Sequence, residues 1–205
     1  MIKAIFFDFD GVLTLDANGS GTTCRNLHRQ MPELSFDDLF RCYRANHGDI
    51  MLGKATHADV WHSFCTCVGT PIDSDLLDDA FRRIPVNEKM FDLCRKLHQQ
   101  YTLGIITDNG IERFTVIEQE LQLSTIFDSI ILSGKIGSRK NESHIFEKAL
   151  ASVSCQADEC IFIDNYEKNL IVPAKMGFKT IWHNDEKNDI ALVCKRLQEY
   201  GCRIS

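Results

Sequence analysis

Short apolar runs separated by amphipathic segments dominate the pattern of this sequence. The runs cover residues 2–7, 102–107, 127–132, 160–163 and 178–182. Between the later runs, apolar residues recur every three or four positions, which is the spacing of amphipathic helices. Strands that alternate with helices form parallel sheets that are covered on both faces. The pattern therefore predicts an α/β fold built on a doubly wound parallel sheet.

The segment between the first and second apolar runs follows a different pattern. After a polar link that contains glycine, over residues 15–23, apolar residues recur at helical spacing, and no stretch is typical of a strand. We therefore predict a compact helical insertion over residues 15–83. The α/β core would then consist of residues 1–14 and 84–205.

Acidic and polar residues follow the apolar runs. Asp8 and Asp10 come directly after the first run, and residues i and i+2 of an extended chain point to the same side. Thr107 ends the second run, and Asp164 follows the fourth, with Asn165 next to it. Ligands of such sheets bind beyond the carboxyl ends of the strands, so these side chains are candidates for one site.

A cluster of acids at one edge of a sheet needs positive charge, because carboxylates repel each other unless a cation lies between them or one is protonated. Lys140, in the loop after the third core run, would supply one charge, and Mg²⁺, which prefers oxygen ligands, would supply more. Such a set suits phosphoryl transfer, in which one carboxylate attacks phosphorus and another protonates the leaving alcohol. If Asp8 and Asp10 are considered without the rest of the chain, the alternative to a catalytic pair is that they only flank a turn.

The composition of the chain indicates which partners to expect and says little about the reaction. The 205 residues are 44% hydrophobic and 25% charged, with a net charge of −6. The negative charge argues against nucleic acid or an anionic membrane surface as a partner. Since no apolar stretch is typical of a signal peptide or a membrane span, we expect a cytoplasmic monomer or homodimer whose nine cysteines are reduced.

Four segments, taken in order, resemble the motifs of the haloacid dehalogenase superfamily. They are DFDGVLT (8–14), IITDNG (105–110), GSRKNESHIFEKAL (137–150) and FIDNYEKNL (162–170). The resemblance covers nearly the whole chain. It implies a Rossmann-like core with strand order 5-4-1-2-3 and a small helical cap domain inserted after the first strand. Residues 47–61 also resemble the cap of sugar-phosphate phosphatase relatives.

The resemblance implies a role for each matching residue. Asp8 would be the nucleophile and a metal ligand. Asp10 would be the general acid and then the general base, and its main-chain carbonyl would also bind the metal. Thr107 and Lys140 would bind the phosphoryl group, and Asp164 would complete the Mg²⁺ site.

Two positions depart from the family pattern. Asn165 stands where an acid is more common, so we expect a weaker metal site in which the amide oxygen of Asn165 is a ligand. Asn141 replaces the usual proline after Lys140, which loosens the loop but keeps the lysine.

Three further residues are candidates for substrate contacts. Asp108 and Asn109 follow Thr107 directly, although for Asp108 we favour a cap of the next helix. Lys54 lies in the predicted cap, where the alternative is an ordinary surface lysine.

The leading interpretation is a Mg²⁺-dependent phosphatase that acts on a small phosphorylated metabolite, such as a sugar phosphate, through an aspartyl phosphate. Family members that remove halogen lack the second acid of the first motif, so Asp10 favours phosphoryl transfer. Two alternatives stay open. One is a phosphosugar mutase of the same family, and the other is a regulatory protein that binds phosphorylated metabolites with weak turnover.

Overall fold

The computed structural model describes residues 1–204, and this part of the chain contains a five-stranded parallel sheet. The strands are β1 (Ala4–Phe7), β2 (Thr102–Thr107), β3 (Ser129–Leu132), β4 (Cys160–Asp164) and β5 (Lys179–Trp182). Their order is β3-β2-β1-β4-β5, and all neighbours are parallel. This is the predicted order read from the opposite edge of the sheet. The predicted fold class is therefore confirmed.

The central strand β1 is apolar throughout because both of its faces are covered. Ile5 and Phe7 belong to the hydrophobic layer on one face of the sheet, and Ala4 and Phe6 belong to the layer on the other face. All four side chains are fully buried. The Phe6 ring lies against Gly104 of β2, where a Cβ atom would come within 2.5 Å of the ring. The alternation of side chains along a strand thus explains why β1 has no polar position.

The described residues also form eleven α-helices, which surround the sheet or lie beside it. They are α1 (Gly19–Gln30), α2 (Phe36–Arg44), α3 (His47–Met51), α4 (His57–Val68), α5 (Asp75–Arg82), α6 (Glu88–Leu97), α7 (Ile111–Leu121), α8 (Ser133–Ile136), α9 (Ser143–Val153), α10 (Ile171–Met176) and α11 (Ile190–Glu199). None of the helices within residues 1–204 has the length and apolar character that a membrane span requires.

The first five helices form the insertion between β1 and β2. The chain leaves the core at Thr14 and returns at Val86, and these two residues pair in an antiparallel bridge. Helices α1, α2, α4 and α5 enclose an apolar cluster of their own, which includes the buried Leu27, Leu39 and Phe81. The predicted helical character of this segment is confirmed, whereas its division from the core as a separate domain stays a prediction.

The predicted polar link is shorter than expected. Helix α1 begins at Gly19, inside the stretch that we assigned to the link, because Asn18 provides an N-cap. The Asn18 side-chain oxygen accepts a hydrogen bond from the backbone N–H of Gly21 at 2.9 Å. A capping residue can start a helix before its apolar stripe begins, which the periodicity does not reveal.

One pair of cysteines contradicts the prediction of reduced thiols. Cys42 on α2 and Cys67 on α4 form a disulfide, although they are separated by 25 positions in sequence. Packing of the two helices brings their Cα atoms to 5.7 Å, a distance that a disulfide spans. The other cysteines that the structure describes are free.

Candidate active site

The candidate site lies where β1, β2 and β4 end at the same edge of the sheet. The chain turns immediately after β1, over Phe9–Leu13, with Gly11 at a φ of +85°. A Cβ atom at Gly11 would lie 2.4 Å from Nδ2 of Asn165, so both the backbone angle and the close approach require glycine here. The turn holds Asp8 and Asp10 at the end of the strand.

A buried lysine joins the ends of β1 and β4. Nζ of Lys140 lies 2.7 Å from Oδ2 of Asp8 and 2.7 Å from Oδ2 of Asp164. Burial raises the pKa of Asp8, and Asp164 adds to this, while Lys140 opposes it. Burial alone would lower the pKa of Lys140, but the two carboxylates outweigh it and raise that pKa. Two carboxylates thus share one ammonium group, which leaves an excess of negative charge.

Asp108 positions the loop that carries this lysine. Its Oδ1 atom accepts a hydrogen bond from the backbone N–H of Lys140 at 3.0 Å, and its Oδ2 atom accepts one from Nε of Arg139 at 3.0 Å. The favoured prediction of a helix cap is wrong, because the N-cap position of α7 belongs to Gly110. Asp108 therefore ties the end of β2 to the loop after β3, and its predicted contact with substrate stays a prediction.

The carboxylate of Asp10 pairs with a guanidinium group that the sequence analysis missed. Nη2 of Arg113 lies 2.8 Å from Oδ1 of Asp10, and Nη1 lies 2.9 Å from Oδ2. Asn109 donates to the same carboxylate at 3.0 Å and accepts from Nη1 of Arg113 at 2.6 Å. Gly19, the first residue of α1, lies against this pair, since a Cβ atom there would be 2.7 Å from both partners. The insertion thus begins directly on the Asp10–Arg113 pair.

Arg113 was missed because it lies beside the apolar stripe of α7. Its neighbour Phe114 is fully buried, and a charged residue next to such a position usually faces solvent. The available signal was spacing: Arg113 follows Asn109 by four positions, which brings the two side chains together at the start of a helix. Here Asn109 lies just before α7, and Arg113 lies in the first turn of α7.

The oxygen atoms at this edge fit a divalent cation. Asp8 and Asp164 carry the excess negative charge, and the side-chain amide of Asn165 is buried with no hydrogen-bond partner in the described part of the chain. Asp10 is turned toward Arg113, so no group of three Asp, Glu, His or Cys side chains within residues 1–204 could hold a metal by itself. The two carboxylates and the unpartnered Asn165 amide oxygen are donors of the kind that Mg²⁺ prefers. The main-chain carbonyl of Asp10 stays a predicted ligand.

A cavity of about 320 Å³ opens in front of these residues. Six of the predicted site residues line it, and they are Asp8, Asp10, Thr107, Asp108, Asn109 and Lys140. Thr107 is buried, and its hydroxyl accepts a hydrogen bond from Asn109 at 3.3 Å. Asp164 contacts the lining residue Lys140. Lys54 is exposed on the loop between α3 and α4, outside the cavity.

The insertion forms the other wall of the cavity and is fastened to the core. Tyr43, Arg44 and His47 line the cavity from this side. His57 at the start of α4 contacts Glu112 of α7, with 2.7 Å between Nδ1 and Oε2, and its Nε2 atom lies 2.9 Å from the Tyr43 hydroxyl. The backbone N–H of His57 also donates to the Glu112 carboxylate. These contacts lower the pKa of Glu112.

Comparisons with known proteins agree on one family. A family model described as haloacid dehalogenase-like hydrolase matches residues 5–183. Glyceraldehyde 3-phosphate phosphatases of Pyrococcus abyssi and Pyrococcus furiosus are both 28% identical to this chain over 200 residues. The aligned regions cover 89% and 88% of this chain and 81% and 80% of the relatives.

Solved structures share the fold at lower identity. A predicted HAD-like hydrolase from Porphyromonas gingivalis has a TM-score of 0.72 and 19% identity, covering 97% of this chain and 98% of its own. A HAD family enzyme from Bacteroides thetaiotaomicron, in complex with magnesium and inorganic phosphate, has a TM-score of 0.72 and 19% identity. It covers 94% of this chain and 99% of its own.

Proposed function

The chain belongs to the haloacid dehalogenase-like hydrolase family, as its motifs predict, and on that premise we propose that it is a phosphatase for a small phosphorylated metabolite. The observation that carries the proposal is the buried Asp8–Lys140–Asp164 arrangement at the base of the cavity. It combines a nucleophile, a fixed cation and an excess of negative charge in one place. The relatives named for glyceraldehyde 3-phosphate support phosphate ester hydrolysis.

Asp8 is the nucleophile in this proposal. A carboxylate oxygen of Asp8 attacks phosphorus, the bond from phosphorus to the ester oxygen breaks, and the leaving alcohol takes up a proton. Water then attacks the aspartyl phosphate, which restores Asp8 and releases inorganic phosphate. Lys140 and Thr107 bind the phosphoryl oxygens, and Lys140 offsets charge that develops on them.

Asp10 supplies and removes the protons. Asp10 enters the first step protonated, gives this proton to the leaving alcohol, and regains a proton from the attacking water in the second step. The carboxylate form that pairs with Arg113 is therefore the form present between the two steps. Arg113 and Asn109 fix the orientation of its carboxylate through the bonds described above. Because Gly19 of the insertion lies on the same pair, the insertion and the proton donor are positioned together.

Mg²⁺ is the proposed cofactor, and when bound it would neutralise charge on the transferring phosphoryl group. Asp8, Asp164, the amide oxygen of Asn165 and the main-chain carbonyl of Asp10 would hold it. Asn165 brings an oxygen without a negative charge, so we expect weaker binding than an acid in its place would give.

The experiment is a screen of phosphorylated sugars, acids and nucleotides with the purified protein and Mg²⁺, read by release of inorganic phosphate. Asp8→Asn should reduce turnover by about a thousandfold or more, because the nucleophile is lost. Asp92→Asn is a matched control, since Asp92 is exposed on α6 and pairs with Arg95. Full activity of Asp8→Asn would refute the assignment of the nucleophile.

The same screen separates the alternatives. Formation of an isomer of the substrate without net phosphate release would indicate a phosphosugar mutase. Binding of a phosphoester without turnover, detected as a thermal shift, would indicate a regulatory protein.

A further inference from the structure

Basic side chains in the cavity fall into two groups. Three of them are paired with acids: Lys140 with Asp8, Arg113 with Asp10, and Arg139 with Asp108. These pairs lie at the strand ends and build the proposed phosphate and proton-transfer site. The second group consists of Arg44 and Lys168, which line the same cavity.

Within residues 1–204, neither Arg44 nor Lys168 is in an ion pair with a carboxylate. Each is instead held over an aromatic ring. The Arg44 guanidinium lies 5.6 Å from the centre of the Phe40 ring, and Nζ of Lys168 lies 5.3 Å from the centre of the Tyr166 ring. Such cation–π contacts restrict the motion of the side chain but do not neutralise its charge. Both positive charges are therefore available to a ligand.

The two cations come from different parts of the chain. Arg44 is the last residue of α2 in the insertion, and Lys168 lies in the short turn Glu167–Leu170 that follows β4 of the core. His47 also lines the cavity, and burial lowers its pKa to about 4, with smaller contributions from Arg44 and Arg139. Arg44 and Lys168 thus add two positive charges to the lining of the cavity, although the whole chain carries a net charge of −6.

We propose that the substrate carries a second anionic group, a carboxylate or a second phosphate, and that Arg44 and Lys168 bind it. This inference rests on the proposed function and names the class of substrate. The phosphate that is cleaved already has Lys140, Thr107 and the cofactor as partners. The remaining two cations, one from the insertion and one from the core, suit an anion at the other end of a small molecule. The preference would differ from that implied by the relatives' name, since glyceraldehyde 3-phosphate has an uncharged aldehyde at that end.

The test compares three-carbon phosphates that differ only at the end opposite to the phosphate. Glycerol 3-phosphate is uncharged there, 3-phosphoglycerate carries a carboxylate, and glycerol 1,3-bisphosphate carries a second phosphate. We expect kcat/KM for an anionic compound to exceed that for glycerol 3-phosphate by about tenfold or more, because hydrogen bonds to charged groups are the stronger ones. The two anionic compounds separate a carboxylate from a phosphate as the preferred group.

Variants show whether the two cations cause the preference. The relevant ratio is kcat/KM for the preferred anionic compound divided by kcat/KM for glycerol 3-phosphate. Arg44→Met and Lys168→Met should each reduce this ratio by about tenfold. General attraction of anions would instead be shared by all nearby cations, so these two substitutions would lower the ratio no more than the control substitutions do. Arg41→Met and Lys175→Met are matched controls, since Arg41 is exposed on the same helix as Arg44, and Lys175 is exposed on α10.

A binding measurement keeps this inference separate from the proposed function. Asp8→Asn protein is titrated calorimetrically with 3-phosphoglycerate and with glycerol 3-phosphate. The titrations are repeated with double variants that carry Asp8→Asn together with Arg44→Met or Lys168→Met. If no phosphoester is hydrolysed, the proposed function fails, and the ratio of dissociation constants still decides the inference. A ratio near one in the Asp8→Asn protein, or a ratio that both added substitutions leave unchanged, would overturn it.

Discussion

Arg113→Met removes the guanidinium group that pairs with Asp10 and keeps an unbranched side chain that resembles the aliphatic part of arginine. Both partners are largely buried, with 5% of the Arg113 side chain and 16% of the Asp10 side chain exposed. Loss of one partner of a buried ion pair costs about 3–5 kcal/mol, because the other charge stays buried without compensation. Asp10 keeps the hydrogen bond from Asn109 and some exposure, so we expect the lower end of that range, about 3 kcal/mol.

The assay is urea denaturation at neutral pH, with the midpoint and slope compared between the wild type and the variant. In a thermal denaturation of the same two proteins, a loss of about 3 kcal/mol corresponds, for a chain of this length, to a fall in Tm of about 6–12 °C. Arg82→Met is the control, because Arg82 pairs with Glu120 at 3.6 Å and both side chains are roughly half exposed. A surface pair of this kind contributes about 0–1 kcal/mol.

A loss of stability by Arg113→Met no larger than that of the Arg82→Met control would refute this reasoning. A double-mutant cycle with Asp10→Asn identifies the source, since the two substitutions should be far from additive if the ion pair dominates. Arg113→Met should also lower kcat more than it changes KM, because the orientation of Asp10 acts on proton transfer rather than on phosphate binding.

Three further substitutions test other contacts. Asn165→Asp should tighten Mg²⁺ binding by about tenfold in a calorimetric titration, because a ligand charge is added, and unchanged or weaker binding would exclude Asn165 as a ligand. The pKa of Glu112 is lowered by His57, so its contribution to stability is present above the ordinary pKa of glutamate and is lost as pH falls through the lowered value. The difference in Tm between wild type and Glu112→Gln should therefore shrink as the pH falls from 6 to 3, and a constant difference would contradict this assignment. Gly104→Ala would place a Cβ atom 2.5 Å from the buried Phe6 ring and should cost about 1–3 kcal/mol in urea denaturation, whereas wild-type stability would show that the ring can move.

The sequence predicts the sheet and its site edge well because both depend on local patterns. Continuous apolar runs locate the strands, and residues directly after a strand end must lie at the edge where it stops. Asp8, Thr107 and Asp164 are placed correctly for this reason. Lys140 was a candidate from its loop position and motif, and the structure brings its ammonium group to both Asp8 and Asp164.

The features that the sequence did not predict depend on contacts between distant elements. Arg113 meets Asp10 across 103 positions, and this requires the rotation of α7 about its axis, which the apolar stripe fixes only coarsely. Asp108 bonds to the loop of Lys140 and does not cap α7. The Cys42–Cys67 bond depends on how α2 and α4 pack, and an odd number of scattered cysteines gives no information on that packing.

The central claim is that the phosphoryl group passes through Asp8. The most direct measurement mixes the protein with Mg²⁺ and a substrate identified in the screen, stops the reaction in acid within milliseconds, and maps the phosphorylated peptide by mass spectrometry. We predict a phosphoryl group on residue 8 that appears before inorganic phosphate and is absent from the Asp8→Asn variant. A phosphoryl group on another residue, or labelling that persists in Asp8→Asn, would contradict the account.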